Sequence, residues 1–369
     1  MYGSSGDQFN SQTFVVNLFL QPPILTNMQI ERFRTAFLAL LLFGQCNPAR
    51  ISVAHQGAKV HGLSFVAPPQ PFPSDPMPAV QQVAADWIAV IPYAFTRPGE
   101  AAVYFNNQRQ WWGERSEGIS ETLRLARAAG IKVMLKPQLW VMRSWTGDLD
   151  YATEAEWTQW EAGYRDYVLT FARLAADQQV ELYCIGTEFK KAVGKREAFW
   201  RKLIQEVREI YTGQLTYAAN WDEYEQVPFW DALDYIGVNA YFPLSEAHTP
   251  EVAVLQKAWK VPLQDIRRLA HTKGKPVLFT EYGYLSVDGC AGKTWELEGK
   301  IDALSINQQA QANALEALLA TFSKEAWWAG GFLWKWFPHM QGHEGYPAKD
   351  YTPQGKAAEQ VLKEAHGRW

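Results

Sequence analysis

Two glutamates, Glu188 and Glu281, each follow a short, mostly apolar run and a threonine in this 369-residue chain. The runs are ELYCIG before Thr187 and PVLF before Thr280. A carboxylate at the end of such a run loses hydration free energy unless it is paired or used. Two carboxylates facing one cleft are the minimum equipment for cleaving a glycosidic bond, because one protonates the leaving oxygen and the other meets the developing oxocarbenium ion. The two glutamates therefore indicate acid–base hydrolysis of a sugar linkage.

A second interpretation of the two glutamates is structural, because either could form a salt bridge with a lysine such as Lys136 or Lys335. Aromatic and amide side chains that follow other apolar runs favour the catalytic interpretation, since a salt-bridge network does not require a platform for stacking sugars. These side chains are Gln138, Trp140, Asn220, Tyr241, Trp334 and Trp336.

The chain from about His55 onward repeats one unit, a short apolar or β-branched run followed by a turn and a helical pattern. Such a repeat is typical of parallel βα architecture. The helical patterns cover residues 118–129, 154–177, 197–211, 254–271 and 306–322. Eight runs predict strands, at residues 61–66, 87–91, 132–136, 181–186, 215–219, 235–238, 276–280 and 331–334.

Eight strands with no composition break for a linker predict an α/β fold, a single-domain (β/α)8 TIM barrel over residues 55–369. An open doubly wound sheet would require a glycine-rich phosphate turn after the first strand, but residues 67–71 read APPQP. Nucleotide binding is therefore disfavoured. In a barrel the functional residues stand at the carboxyl ends of the strands, where Glu188 would end the fourth and Glu281 the seventh.

Composition limits the classes of partner. The 35 Lys and Arg and the 39 Asp and Glu give a net charge of −4 without a block of like charge, so we expect no nucleic acid partner. The 17 Trp, 16 Tyr and 19 Phe suit binding to flat sugar rings. Cys46, Cys184 and Cys290 are too few and scattered for a disulfide framework or zinc site. His339 and His343 lie in a segment with proline and glycine, so we expect no metal there.

Five segments resemble the clan of retaining (β/α)8 glycosidases that have catalytic glutamates on strands four and seven. They are KVMLKPQLW (132–140), CIGTEF (184–189), YIGVNAYFP (235–243), LFTEYGY (278–284) and GGFLWKW (330–336). Within the clan the chain most resembles glycoside hydrolase family 113, over roughly residues 55 to 362. The resemblance implies double displacement on a β-linked polysaccharide, with endo-β-1,4-mannanase activity and no metal or organic cofactor.

The resemblance also implies individual roles. Glu188 would be the general acid/base and Glu281 the nucleophile. Tyr241 would donate a hydrogen bond to Glu281, and Trp334 would floor the subsite that holds the sugar under attack. These roles need only a polysaccharide or oligosaccharide as partner, and no protein partner is implied.

Thr187 departs from the pattern of the clan, which mostly has an asparagine there that contacts the sugar 2-hydroxyl. Mannose carries this hydroxyl axially, so a different contact is expected, and Asn220 and Lys136 are the predicted replacements. Gln138, Trp140 and Trp336, at the ends of predicted strands, complete the predicted substrate-binding set. In the long connection over 92–117, Trp111 and Trp112 either stack on sugars or pack the loop onto the barrel.

Three alternatives remain open at this level. The chain could act on a β-glucan or another β-glycoside, or release single sugars. It could be a non-catalytic glycan-binding barrel, although the two glutamates at their strand ends argue against this. A barrel for sugar phosphates is disfavoured, because its seventh and eighth strand ends would carry a glycine-rich phosphate cradle.

The amino-terminal extension, residues 1–54, contains an export signal pattern over 28–46. The apolar run AFLALLLF at 36–43 is too short to cross a bilayer as a helix, and it follows two arginines and precedes Cys46. The sequence LLFGQC resembles a bacterial lipoprotein cleavage site, with Gln45 where a small residue is usual. We therefore predict export, with a lipid anchor at Cys46 in the cell envelope, or alternatively a secreted or periplasmic protein.

Overall fold

Eight parallel strands form a closed barrel in the protein, whose computed structural model describes residues 53–340 and 347–368. Each barrel strand pairs with the next barrel strand along the chain, and the last pairs with the first. Numbered with the other strands in chain order, they are β1 (Val60–Phe65), β2 (Trp87–Val90), β5 (Lys132–Leu135), β7 (Leu182–Thr187), β8 (Gln214–Asn220), β9 (Ile236–Asn239), β10 (Val277–Tyr282) and β11 (Trp328–Trp336). The predicted α/β barrel is confirmed, and all eight predicted runs lie on its strands.

Helices flank the barrel strands. In the described residues they are α1 (Met77–Gln82), α2 (Ser116–Ala128), α3 (Glu154–Asp177), α4 (Lys190–Lys195), α5 (Glu197–Ile210), α6 (Val252–Ala258), α7 (Lys260–Lys273), α8 (Thr294–Glu298), α9 (Gln308–Phe322) and α10 (Ala357–His366). Helix α3 begins with a reciprocal cap in which the Thr153 hydroxyl accepts from the Glu156 N–H and the Glu156 carboxylate accepts from the Thr153 N–H. The cap satisfies two donors that the first turn leaves unpaired.

The predicted helix over 254–271 is divided in the structure into two helices, α6 and α7, which are separated by Trp259 alone. Pro262 lies in the first turn of α7 and has no N–H to donate to the Ala258 carbonyl, so one hydrogen-bond ladder cannot run through this point. Trp259, between the two helices, is fully buried. The apolar pattern continued through the break because both helices cover the same barrel.

An aromatic cluster packs α3 and α5 against the barrel next to Glu188. Phe189, the following residue, is fully buried, with its ring centroid 4.9 Å from Tyr164, 5.3 Å from Trp200 and 5.5 Å from Trp160. Burial of a large ring contributes on the order of 2–3 kcal/mol. Packing of Phe189 on the outside of the barrel therefore fixes the backbone after β7, and the Glu188 side chain remains available for the site.

Three short strands form a second sheet that the sequence analysis did not predict. They are β3 (Tyr93–Thr96), β4 (Tyr104–Phe105) and β6 (Gln138–Val141). Strand β3 follows β2 after Pro92, and β6 follows β5 after Pro137. Proline has no N–H for a sheet ladder, so each long extended segment is divided into a barrel strand and a strand on the rim.

The N-terminal predictions fall outside the described residues, which belong to one unit spanning Ile51–Trp369. The export segment 28–46 with Cys46 and nearly all of the extension 1–54 lie outside the described residues. His343 lies outside them as well. None of the helices in the described part of the chain combines the length and apolar character needed to cross a bilayer. The domain boundary near residue 54 stays a prediction.

Candidate active site

Glu281 ends the seventh barrel strand, β10, as a buried carboxylate with two side-chain partners. The ammonium group of Lys136 forms a buried ion pair with Oε1, and the Tyr241 hydroxyl donates to Oε2 at 2.8 Å. Burial, followed by the charge of Glu281, raises the pKa of Tyr241 well above its ordinary value, so this phenol stays a donor. Both carboxylate oxygens are thereby oriented.

Lys136 is also adjacent to Trp334. It follows the third barrel strand, β5, has no exposed surface, and lies with Nζ 5.8 Å from the centre of the Trp334 ring on β11. A cation over an aromatic face is attracted by the ring quadrupole. The structure therefore brings Lys136, Glu281 and Trp334 together, with Trp334 partly exposed.

Glu188 follows the fourth barrel strand, β7, and is partly exposed. Its backbone has φ of +58°, in the left-handed region that residues with a Cβ rarely adopt. The Glu188 N–H donates to the Ala218 carbonyl of β8 at 2.8 Å, which anchors the turned backbone. This conformation ends the strand and sets the direction of the side chain.

Two donors hold the Glu188 carboxylate. The Asn239 amide donates to Oε1 at 2.8 Å, and the Trp145 indole N–H donates to Oε2 at 2.8 Å. The Thr280 hydroxyl donates to the Asn239 amide oxygen at 2.8 Å, so the amide nitrogen faces Glu188. Because Asn239 pairs in register with Glu281, this chain of contacts places both glutamates in one site.

The electrostatic surroundings of Glu188 favour its protonated form. Desolvation, and next the charge of Glu281, raise the pKa of Glu188 above its ordinary value. The hydrogen bonds from Asn239 and Trp145 and the charge of Lys136 oppose this rise. Among the described residues Glu188 has no ion pair, so the structural salt-bridge interpretation fits Glu281 only, through Lys136. Lys335, the other lysine considered, pairs with Asp350 at 3.2 Å.

Asn220, a predicted contact of the sugar 2-hydroxyl, is held in place by two carboxyl groups that follow it in the chain. Its N–H donates to Glu223 Oε1 at 2.9 Å, and its side-chain amide donates to Asp222 at 3.1 Å. Burial raises the pKa of Glu223 to about 8, so this carboxyl is mostly neutral at pH 7. Asn220 itself is partly exposed at the end of β8.

The other predicted contacts divide by exposure. Trp140 is 55% exposed and Gln138 is partly exposed, both on β6. Trp336 is only 2% exposed and packs in the hydrophobic core, so its ring is a packing residue and offers no face to a sugar. Trp111 is 43% exposed, whereas Trp112 is buried, so Trp112 packs the loop onto the protein and only Trp111 has ring surface open to a ligand.

Sequence reasoning missed Asn239 and Trp145 as contacts of the acid/base candidate. Asn239 stands at the end of the sixth barrel strand, which was a sufficient signal for the mouth of the barrel. Trp145 lies beyond β6 in a loop, and no spacing rule connects it to Glu188, 43 residues away. Asn239 reaches Glu188 from another strand, whereas Thr187, the residue before Glu188, has its Oγ1 buried without a hydrogen-bond partner in the described structure.

Residues 70–356 match the sequence profile of glycoside hydrolase family 113. The chain belongs to glycoside hydrolase family 113. This family 113 protein is a glycoside hydrolase, and its substrate is a glycan. No significantly similar sequence was found among curated proteins. In the part of the chain described here, no three His, Cys, Asp or Glu side chains are grouped to hold a metal ion.

Solved structures of the same family are similar over nearly their whole length. A β-mannanase from Alicyclobacillus acidocaldarius, in complex with ManMIm, is 27% identical with a TM-score of 0.72, over 85% of this chain and 98% of that one. A β-1,4-mannanase in a complex is 26% identical with a TM-score of 0.71, over 85% and 100% of the two chains. A Faecalibacterium prausnitzii β-glucuronidase, 14% identical with a TM-score of 0.56 over 84% and 49%, shares the fold.

Proposed function

We propose that this family 113 protein is a retaining endo-β-1,4-mannanase. The observation that carries the mechanism is the difference between the two glutamates in burial, ion pairing and pKa. Glu281 is buried and paired with the Lys136 cation, as a nucleophile requires. Glu188 is partly exposed, lacks an ion pair in the described residues, and has a raised pKa, as a general acid requires.

The first step forms a glycosyl-enzyme. Glu281 Oε2 or Oε1 attacks the anomeric carbon while Glu188 gives its proton to the departing glycosidic oxygen. The Tyr241 hydroxyl and the Lys136 ammonium hold the attacking carboxylate in place before the reaction. Trp334, partly exposed beside Lys136, supplies an apolar surface for the sugar ring.

The second step uses the same residues with altered charge. Once Glu281 is esterified its negative charge is gone, so one of the two causes that raise the pKa of Glu188 disappears. Glu188 then accepts a proton from the water that releases the sugar. The Asn239 and Trp145 hydrogen bonds, which favour the charged form of Glu188, support this base role.

The mannan substrate is supported by the relatives. Both family 113 structures at 27% and 26% identity are described as β-mannanases, and they align over 85% of this chain. The test is the release of reducing sugar from β-linked mannan, glucomannan, glucan and xylan by the wild type, Glu188→Gln and Glu281→Gln. We expect the wild type to cleave mannan and each of the two substitutions to abolish this activity. Activity confined to another glycan would discard the mannan assignment and keep the mechanism, whereas activity retained by Glu281→Gln would discard the mechanism.

Trp145→Phe is expected to move the alkaline limb of the kcat/KM profile to higher pH. The indole N–H lowers the pKa of Glu188 by favouring its charged form, so its loss raises that pKa further and keeps the acid protonated to higher pH. The measurement is a pH–rate profile on a soluble oligosaccharide.

The matched control is Trp327→Phe, which removes an indole hydrogen bond to Glu325 (2.7 Å) next to the start of β11, at the opposite end of the barrel. Its alkaline limb should coincide with that of the wild type. An unchanged limb in Trp145→Phe would show that the indole does not act on Glu188.

Gly147→Ala is expected to lower kcat by about tenfold or more, through Trp145. A Cβ on Gly147 would lie 2.3–2.5 Å from three carbons of the Trp145 ring, so the indole must move away from Glu188. Gly194→Ala, where a Cβ meets nothing within 4 Å, is the control and should retain wild-type kcat. Steady-state rates combined with thermal unfolding separate displacement of the indole from general instability, and full activity in Gly147→Ala would contradict the expectation.

We further propose that the protein is exported and lipidated at Cys46, on the strength of the apolar run at 36–43 and the cysteine after it. Cells expressing the full chain would be fed an alkyne fatty acid, and the label should appear in the wild type and be absent from Cys46→Ala. Cys184→Ala, which changes a buried cysteine, is the control and should keep the label. An unlabelled wild-type protein would rule out the anchor.

A further inference from the structure

The small sheet of β4, β3 and β6 separates its side chains by face. In β3 and β6 paired residues point the same way, and one face, containing Ala94, Thr96, Leu139 and Val141, is buried. The opposite face contains Tyr93, Phe95, Tyr104, Gln138 and Trp140, all partly or largely exposed. The sheet therefore presents a mainly aromatic surface at the rim of the barrel, which we call the rim platform and define by these five residues.

The rim platform continues into a cleft of about 930 Å³. Phe95 and Tyr104 of the platform line it, together with Trp111 and Met142 from the adjoining loops. Tyr104 is 46% exposed, Trp111 43% and Trp140 55%, so flat aromatic surface is open to a ligand. Exposed aromatic and apolar surface in one continuous patch is characteristic of a binding site.

The platform is continuous with the reaction centre. Tyr93 is close enough to Glu281 for that charge to contribute, after burial, to its raised pKa. Gln138 lies two residues after Lys136, which forms the ion pair with Glu281. The amide oxygen of Gln138 is buried and has no hydrogen-bond partner in the described structure. From these two residues the surface runs outward through Phe95 to Tyr104 and Trp140.

Charged side chains of both signs lie near the platform, with Arg97, Arg109 and Glu114 on the wall of the cleft. Arg97 pairs with Glu100 at 3.4 Å, and the Tyr104 hydroxyl donates to the same carboxylate at 3.3 Å. The hydroxyl of Tyr104 is thus engaged at the ring edge while the ring remains 46% exposed. The platform itself consists of four aromatic rings and the Gln138 amide, and uncharged side chains of this kind suit an uncharged chain of sugar rings.

We propose that the rim platform, with Trp111, binds the distal sugar units of a neutral β-linked glycan whose scissile bond lies between Glu188 and Glu281. This inference rests on the proposed function, because it takes the ligand to be the same chain that is cut. The outer part of the platform, Tyr104 and Trp140, would therefore contact long substrates and be out of reach of short ones. It would make the enzyme more efficient on polymer than on trimers.

The experiment compares substrates of two lengths, β-1,4-mannotriose and β-1,4-mannohexaose, or the same lengths of whichever glycan the wild type cleaves. Trp140→Ala and Tyr104→Ala are expected to lower kcat/KM on the hexamer by about two- to tenfold each, mainly through KM. Activity on the trimer should stay within about twofold of the wild type. Val261→Ala, a control at a 65% exposed position on α7, should change neither value.

A second measurement does not require turnover. In a Glu281→Gln background, binding of soluble mannan in affinity electrophoresis should weaken when Trp140→Ala is added. Equal losses on both lengths, no loss on either, or a dimer that Trp140→Ala dissociates in light scattering would each overturn the inference. A wild type that cleaves no β-linked glycan would instead overturn the proposed function, so the two failures are distinguishable.

Discussion

Glu281→Ala is expected to reduce hydrolysis of the natural polysaccharide by about four to six orders of magnitude, because no covalent intermediate can form. Azide should restore part of the activity by entering the space that the carboxylate leaves. Azide would attack the anomeric carbon directly while Glu188 protonates the leaving oxygen, so the product from a β-glycoside should be the α-configured glycosyl azide. The measurement is the configuration of that product by NMR.

The control for this variant addresses the ion pair as well as the chemistry. Removing Glu281 leaves the buried Lys136 cation without its partner, which destabilises the fold by about 3–5 kcal/mol. Thermal unfolding must therefore show a folded protein at the assay temperature, and Glu316→Ala, on the exposed side of α9, should behave as the wild type. A β-configured azide product would assign the nucleophile to another residue.

Glu188→Ala is expected to reduce polysaccharide hydrolysis by about 10²–10⁴-fold, since the leaving oxygen is no longer protonated. A dinitrophenyl β-mannobioside needs no such proton, so its first step should remain fast while the second step lacks a base. The expected result is a burst of dinitrophenolate followed by slow turnover. Stopped-flow absorbance gives both phases, and the amplitude of the burst should equal the enzyme concentration.

Azide distinguishes the two glutamates in this variant too. It would attack the glycosyl-enzyme formed on Glu281, so the product should be the β-configured glycosyl azide, after two inversions. Glu223→Ala removes a buried carboxyl that supports Asn220, and it should show no burst. If Glu188→Ala gave no burst and no azide product, Glu188 would not be the acid/base.

The barrel and the position of its two glutamates at strand ends were predictable because they depend on local pattern. The run CIGTEF and the run LFTEY each combine the period of a buried strand with a carboxylate at its end. Both runs lie on barrel strands, β7 and β10, and the glutamates stand where the strands end. A parallel barrel directs every strand end to one face, so the order along the chain already placed Glu188 and Glu281 at one mouth.

The rim platform was not predictable from the same pattern. Strands β3 and β6 have four residues each and directly follow barrel strands after a proline, so the segments resembled the turns of a βα unit. Their pairing with each other, Tyr93 with Gln138 and Phe95 with Trp140, joins segments about 45 residues apart. Trp336 illustrates the converse, because the strand end alone did not reveal that its ring turns into the core.

The sequence by itself determined the strand order and the position of the two glutamates, since these follow from residue type and local spacing, and the resemblance of five segments indicated the family. Only the tertiary structure decided which side chains touch them. Lys136 meets Glu281 across 145 residues, and Asn239 meets Glu188 across 51. Such contacts depend on barrel closure and on side-chain direction at each strand end, and a few tenths of an ångström decide whether a hydrogen bond forms. The local periodicity of the sequence does not determine those distances.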